Sequence, residues 1–307
     1  MSTFKTRIDI VKVKAFVADH LHVDPDSLQV IEDGEVSQAF FLDTPNGPRV
    51  LRVNTHNADG FKKDQLAYEH FSKAGVPIPK IREIGEIEPG VFFAISDRVA
   101  GKTLNAFGKD VISQLMPELM NLMDIIHAIP PMGSGFGVWD QHGNASHQTY
   151  KDWIISSINQ DDDETRGADF YDTTLHDSVR DTIVRLLDDC GEPRSLVHGD
   201  FDFGNVLSDS KAITGVIDWH GSFYGDPLYD VAWFEFWDYK QGYQDTFRHH
   251  FESQGTLPDN FDQRMRMLKL NIGLNSLGFF ARSRQPNKYK FALEQITPLM
   301  NNGGRHA

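Results

Sequence analysis

The stretch Ser195 to Trp219, SLVHGDFDFGNVLSDSKAITGVIDW, constrains this chain more than any other. Three short apolar runs, Ser195–Val197, Val206-Leu207 and Ile213–Ile217, are separated by turn residues and read as strands. The polar turn Ser208-Asp209-Ser210-Lys211 makes the last two a hairpin. Such a hairpin brings Asp218 back beside Asn205 and Asp200. An Asp and an Asn supply hard oxygen ligands of the kind Mg²⁺ takes. A further carboxylate, Asp200, can take or orient an acceptor hydroxyl. That set suits phosphoryl transfer, which needs positioning and charge neutralisation more than covalent work. The bland alternative is a β-hairpin with solvated acids, and the ordered set of three argues against it.

The spacing H-x-D-x4-N, then a hairpin and a second Asp, matches the order of catalytic Asp, metal Asn and metal Asp in protein kinases. HGDFDFGNVL…VIDW resembles the aminoglycoside phosphotransferase family of kinase-like enzymes. DGEVSQAFFL, VLRVN, ADGFKKD, VPIP, the stretch before AGKTL, GSGFG and GDPLYDVA are similar to its hygromycin B branch, nearly from end to end. The resemblance implies an α+β, protein-kinase-like two-lobed fold. An N-terminal antiparallel sheet lobe would span 1–96, a hinge 97–101, and a larger, mainly helical lobe 102–307. ATP or GTP with Mg²⁺ would bind between the lobes. Asp200 would be catalytic, Asn205 and Asp218 would hold the metal, and His198 would be structural.

In the first lobe, strand 39–42 follows the turn Asp33-Gly34-Glu35, whose glycine tolerates a tight backbone. By resemblance Ser37 is the nucleotide-loop serine. Arg49–Val53 alternates, with Val50 and Arg52 on one face. Kinases carry a phosphate-gripping Lys on this strand; here Arg52 holds the place, with different reach. A helix is expected over 61–73. Asp64, Ala67, Tyr68 and Phe71 share one face of it, so Asp64 is the expected partner of Arg52. By resemblance, backbone near Ser96 and Arg98 meets the purine.

The second lobe reads as helices over 115–129, 153–158 and 179–187, and a final long helix striped by Met265, Leu268, Ile272 and Phe279. GSGFG at 133–137 follows a helix and two prolines, so it is a loop and not a dinucleotide cradle. Asp226, before Pro227, is expected to cap the next helix. By resemblance Asp230 braces the catalytic loop. Asp202, His220, Glu235 and Asp238 are candidate acceptor contacts. His127 reads as a packing or surface histidine.

The chain has 30 basic and 44 acidic side chains, a net charge of −14. Residues 102–307 carry 18 basic and 29 acidic of these, a balance of −11. Such a field disfavours nucleic acid and suits a cationic small-molecule acceptor. No apolar run approaches the ~20 residues a membrane span requires. The single cysteine, Cys190, and the absence of a leader-like N-terminus fit a cytoplasmic protein, expected to be a monomer. The expected reaction is transfer of a nucleotide γ-phosphate to a hydroxyl of an aminocyclitol antibiotic, with hygromycin B first. Choline, a macrolide or a sugar amine remain open as acceptors, as does a non-catalytic nucleotide-binding pseudokinase. A protein kinase is disfavoured because no A-P-E segment follows Asp218.

Overall fold

A computed structural model of the chain describes residues 6, 8–32, 37–160 and 162–301. The chain opens with helix α1 (Ile10–Leu21) and strands β1 (Gln29–Ile31), β2 (Gln38–Thr44) and β3 (Gly47–Asn54). Helix α2 (Asp59–Phe71), strands β4 (Ile81–Glu88), β5 (Val91–Asp97) and β6 (Lys102–Thr103), and helix α3 (Lys109–Ala128) follow. Next come β7 (Phe136–Trp139), β8 (Ala145–His147), α4 (Tyr150–Ile158), α5 (Asp163–Arg166), α6 (Thr173–Leu187), β9 (Ser195–Val197), β10 (Val206–Ser208), β11 (Ile213–Val216) and β12 (Phe223–Gly225). The chain closes with α7 (Leu228–Trp237), α8 (Tyr243–Gln254), α9 (Phe261–Arg282) and α10 (Pro286–Asn301).

Two compact units result. The first holds the chain to Ile126 together with Asp140–His142 and Phe203–Gly221. Its main sheet is antiparallel, in the order β1-β2-β3-β5-β4. Alternation decides its faces. Leu51 and Val53 of β3 are buried with Phe40, Leu42, Phe93 and Ile95, and Val13 and Val17 of α1 close that core. Each such side chain contributes roughly 1.5–3 kcal/mol by leaving water. Arg52 points to the opposite face and stays partly exposed. The Asp9 carboxylate caps helix α1 by accepting from Val11 N at 2.9 Å. The same unit carries a small sheet, β11-β10-β6. Gly101, at φ +100°, lets the chain pass the Ser208 carbonyl, which a Cβ would meet at 2.0 Å.

The second unit comprises His127–Trp139, Gly143–Asp202 and the chain from Ser222 onward. Its sheet runs β8-β7-β12-β9. Strand β9 therefore pairs with β12, Val197 opposite Phe223, and the hairpin proper is β10–β11. The GSGFG stretch is not wholly a loop: Phe136 and Gly137 already belong to β7. Helix α9 is the apolar spine, buried on nearly every side. Gly273 admits α10 so closely that a Cβ there would lie 2.1 Å from Ile296 Cγ2.

Several elements differ from their sequence expectation. Strand β4 and helices α8 and α10 are additions to it, so α9 is not the last helix. Met265, Leu268 and Ile272 are core, but Phe279 is 37% exposed. The Asp33-Gly34-Glu35 turn, Asp161 and the tail beyond Asn301 lie outside the described residues. Among the described residues no helix is long and apolar enough to cross a membrane.

Candidate active site

In the first unit, β3 carries Arg52 to α2. Its Nη2 lies 2.5 Å from Asp64 Oδ2, and the guanidinium sits 5.1 Å from the centre of the Phe61 ring. Burial opposes the Arg52 charge. The charge and hydrogen bond of Asp64, and then the charge of Asp218, outweigh it and hold the group above its ordinary range. Arg52, Asp64 and Asp218 thus belong to one electrostatic cluster. Asp64 also holds the chain beyond Asp218, because its Oδ1 accepts from Trp219 N at 2.9 Å.

The expected hairpin forms between β10 and β11. Val206 pairs with Val216, and Ile217 N donates to the Asn205 carbonyl at 3.0 Å, so Asn205 and Asp218 end adjacent strands. Val216 N donates to the Pro77 carbonyl at 2.7 Å, which ties the hairpin to the VPIP stretch. Asp218 is exposed and sits at φ 66°. Left-handed backbone at a non-glycine residue costs about 1–3 kcal/mol and persists where neighbours hold it. An amide oxygen and a carboxylate are a hard donor pair that leaves coordination positions for phosphate and water, as Mg²⁺ prefers. Among the described residues no group of three or more His, Cys, Asp and Glu could hold a metal alone.

Ser37 is half-buried, directly before β2, whose Gln38 pairs with Val53. Ser96 is buried and pairs with Val50 and Ile81 within the sheet. Arg98 N donates to the Pro48 carbonyl at 3.2 Å, and its guanidinium covers the Phe41 ring at 3.9 Å. Asp97 N is also engaged, by the Lys80 carbonyl at 2.9 Å. The His220 ring lies against Gly60.

In the second unit, β9 leads into the half-buried Asp200. The fully buried Asp230 organises this turn: Oδ2 accepts from His198 N at 3.1 Å and Oδ1 from Gly199 N at 2.9 Å. The His127 Nε2 lies 2.9 Å from the same Oδ2. His198 is fully buried, and its Nδ1 accepts from Asp200 N at 3.3 Å. Burial, then the charges of Asp200 and Asp230, push the Tyr229 hydroxyl well above its ordinary range.

Asp226 does not cap α7, whose N-cap is Pro227; from one residue earlier its carboxylate accepts from Leu228 N at 2.9 Å and receives a bidentate fork from Arg264, at 2.6 and 2.9 Å. Glu235 accepts from Gln244 N at 3.0 Å, at the start of α8, and burial raises its carboxyl. Asp202 is half-buried. Asp238 ends α7 and lines a cavity of ≈ 250 Å³ with Trp237, Lys240, Phe291, Glu294 and Gln295. Trp237 stacks on Phe291 at 6.0 Å.

Three contributors escape the sequence reading: Lys63, His127 and Arg264. Lys63 is 3% exposed and donates to the His220 carbonyl at 2.6 Å. Burial pushes its ammonium down to about 7, against the pull of Asp64, Asp140 and Asp218. The spacing Lys63, Ala67, Phe71 places it on the buried face of α2 and is the available signal.

A family model for the "Phosphotransferase enzyme family" matches residues 27–265. The hygromycin-B 4-O-kinase of Escherichia coli is 33% identical over 286 residues, covering 89% of this chain and 80% of that protein. Crystal structures of a thermostable mutant of aminoglycoside phosphotransferase APH(4)-Ia superpose closely. The ternary complex with AMP-PNP and hygromycin B has a TM-score of 0.82 at 30% identity, covering 96% of this chain and 100% of that one. The complex with ADP and hygromycin B has a TM-score of 0.83 at 29% identity, with the same coverage.

Proposed function

This chain belongs to the phosphotransferase enzyme family, and on that premise we propose that it moves the γ-phosphate of ATP to a hydroxyl of hygromycin B. The observation that carries the reading is the braced turn at Asp200, whose two preceding amides, of His198 and Gly199, Asp230 holds. It is joined in sequence to the hairpin that carries Asn205 and Asp218.

The acceptor hydroxyl donates a hydrogen bond to Asp200. As the oxygen–phosphorus bond forms and the bond to the nucleoside diphosphate breaks, Asp200 receives the hydroxyl proton. Orientation dominates in a loose transition state, so bracing by Asp230 matters as much as the basicity of Asp200. Asn205 and Asp218 would hold Mg²⁺, which when bound neutralises phosphate charge. Arg52, fixed by Asp64, adds positive charge on the phosphate side, and Ser37 would supply polar contacts there. Backbone near Ser96 and Arg98 would border the purine, at the hinge 97–101 between lobes 1–96 and 102–307. His198, Asp226 and Asp230 support the loop and the helix after it.

Hygromycin B carries amines, and the balance of −11 over residues 102–307 favours a cation. Asp238, which lines a cavity with Glu294 beside two stacked aromatic rings, is proposed as an acceptor contact. Asp202 and His220 remain in the proposed set. Glu235 acts there through α8. The enzyme would work in the cytoplasm as a monomer, where added phosphate spoils the drug's cationic contact surface and confers resistance.

Mass spectrometry of hygromycin B, kanamycin, choline and a macrolide after incubation with protein, ATP and Mg²⁺ tests the proposal. A gain of one phosphate on hygromycin B is expected. A gain on another acceptor alone would reassign the substrate, and no gain on any would favour a pseudokinase.

A further inference from the structure

Two successive residues of α2 grip two successive residues after Asp218. Asp64 Oδ1 accepts from Trp219 N at 2.9 Å, and Lys63 Nζ donates to the His220 carbonyl at 2.6 Å. The contact extends to side chains. Gly60 lies against the His220 ring, where a Cβ would sit 3.3 Å from Cγ, and Phe71 packs on the buried Trp219 at 5.1 Å. Asp218 itself is held at φ 66°. A left-handed aspartate needs its flanks fixed to keep that backbone. The hairpin fixes the preceding side through Ile217 N and the Asn205 carbonyl. Helix α2 fixes the following side.

A lysine is a costly way merely to fill a buried position, because its ammonium must be taken out of water. Here it has a backbone carbonyl for its proton and the charges of Asp64, Asp140 and Asp218 around it. We infer that Lys63 is a positioning residue, whose bond to the His220 carbonyl holds the turn that presents Asp218 to the metal and nucleotide. The inference rests on the reading of Asp218 as a metal ligand. Lys63 does its work one residue before the Asp64 of the Arg52–Asp64 pair, so α2 sets both the phosphate-side cation and the metal-side carboxylate.

Thermal unfolding of the full-length protein, with AMP-PNP fixed and Mg²⁺ titrated, reads the coupling without turnover. Lys63→Met keeps the length of the side chain and removes donor and charge. It should raise the Mg²⁺ concentration for half-maximal stabilisation about tenfold, as loss of a support behind a metal ligand does. An unchanged midpoint in a folded Lys63→Met protein overturns the inference. Asp218→Ala separates the two levels. If it keeps the normal midpoint, the metal reading itself fails; if it loses Mg²⁺-dependent stabilisation while Lys63→Met does not, only the positioning role fails. Should Lys63→Met be unfolded without ligand, Lys63→Arg decides. A midpoint close to that of the unaltered protein upholds the role of the buried donor, and one displaced about tenfold contradicts it.

Discussion

The Nε2 of His127, on α3, lies 2.9 Å from Oδ2 of Asp230, on α7, 103 residues away in sequence. That oxygen also accepts from His198 N, and its partner oxygen from Gly199 N. One buried carboxylate thus ties a distant histidine to the turn before Asp200.

Asp230→Ala leaves two amides of that turn without their acceptor. We expect a loss of about 2–4 kcal/mol in urea unfolding. Turnover should fall more than about tenfold with little change in nucleotide KM, because the defect lies in the aim of Asp200. Asp230→Asn, with one acceptor oxygen left, should fall between.

Arg52 and Asp64 are not symmetric partners. Arg52→Ala removes a phosphate-side cation and should raise nucleotide KM by about tenfold or more. Asp64→Ala strands the partly buried guanidinium and also frees Trp219 N. It should therefore cost more stability than Arg52→Ala, by about 1–2 kcal/mol in denaturant titration.

Asp238→Asn, alone and with Glu294→Gln, should raise hygromycin B KM by about tenfold and leave nucleotide KM unchanged. The acceptor KM of the unaltered enzyme should rise with ionic strength, and the double variant should show a shallower dependence. Steady-state kinetics at two salt concentrations measures both.

Cys190 is 6% exposed, and burial, followed by the charge of Asp226, pushes its thiol up to about 12. A raised thiol pKa means less thiolate at a given pH, about one part in ten thousand at pH 8. Iodoacetamide should leave the native protein unlabelled at pH 8. Full labelling is expected in denaturant.

Legibility followed the range of the interactions. The alternation of β3 and the hairpin β10–β11 are written in adjacent residues, with turn residues between the apolar runs. Strand β4, IREIGEIE, places its apolar residues at a period of three, because register shifts between Ile81 and Glu83 and between Glu86 and Glu88 break the alternation. Helix α10 begins on Pro286 and contains Pro298, which hides it from a propensity reading. In the site, Asp200, Asn205 and Asp218 announce themselves through local spacing. Lys63, His127 and Arg264 do not, since their partners lie 157, 103 and 38 residues away. The pairing of Glu235 with Gln244 N belongs to helix α8, an element the local pattern does not announce.

The most direct measurement compares phosphate transfer to hygromycin B by the unaltered protein and by Asp200→Ala, with Mg²⁺–AMP-PNP stabilisation recorded for both. The account predicts one phosphate per drug molecule from the unaltered protein. In Asp200→Ala it predicts turnover down by at least about a hundredfold, with nucleotide stabilisation retained. Transfer by Asp200→Ala at the unaltered rate, or no phosphorylated hygromycin B from the unaltered protein, would contradict it.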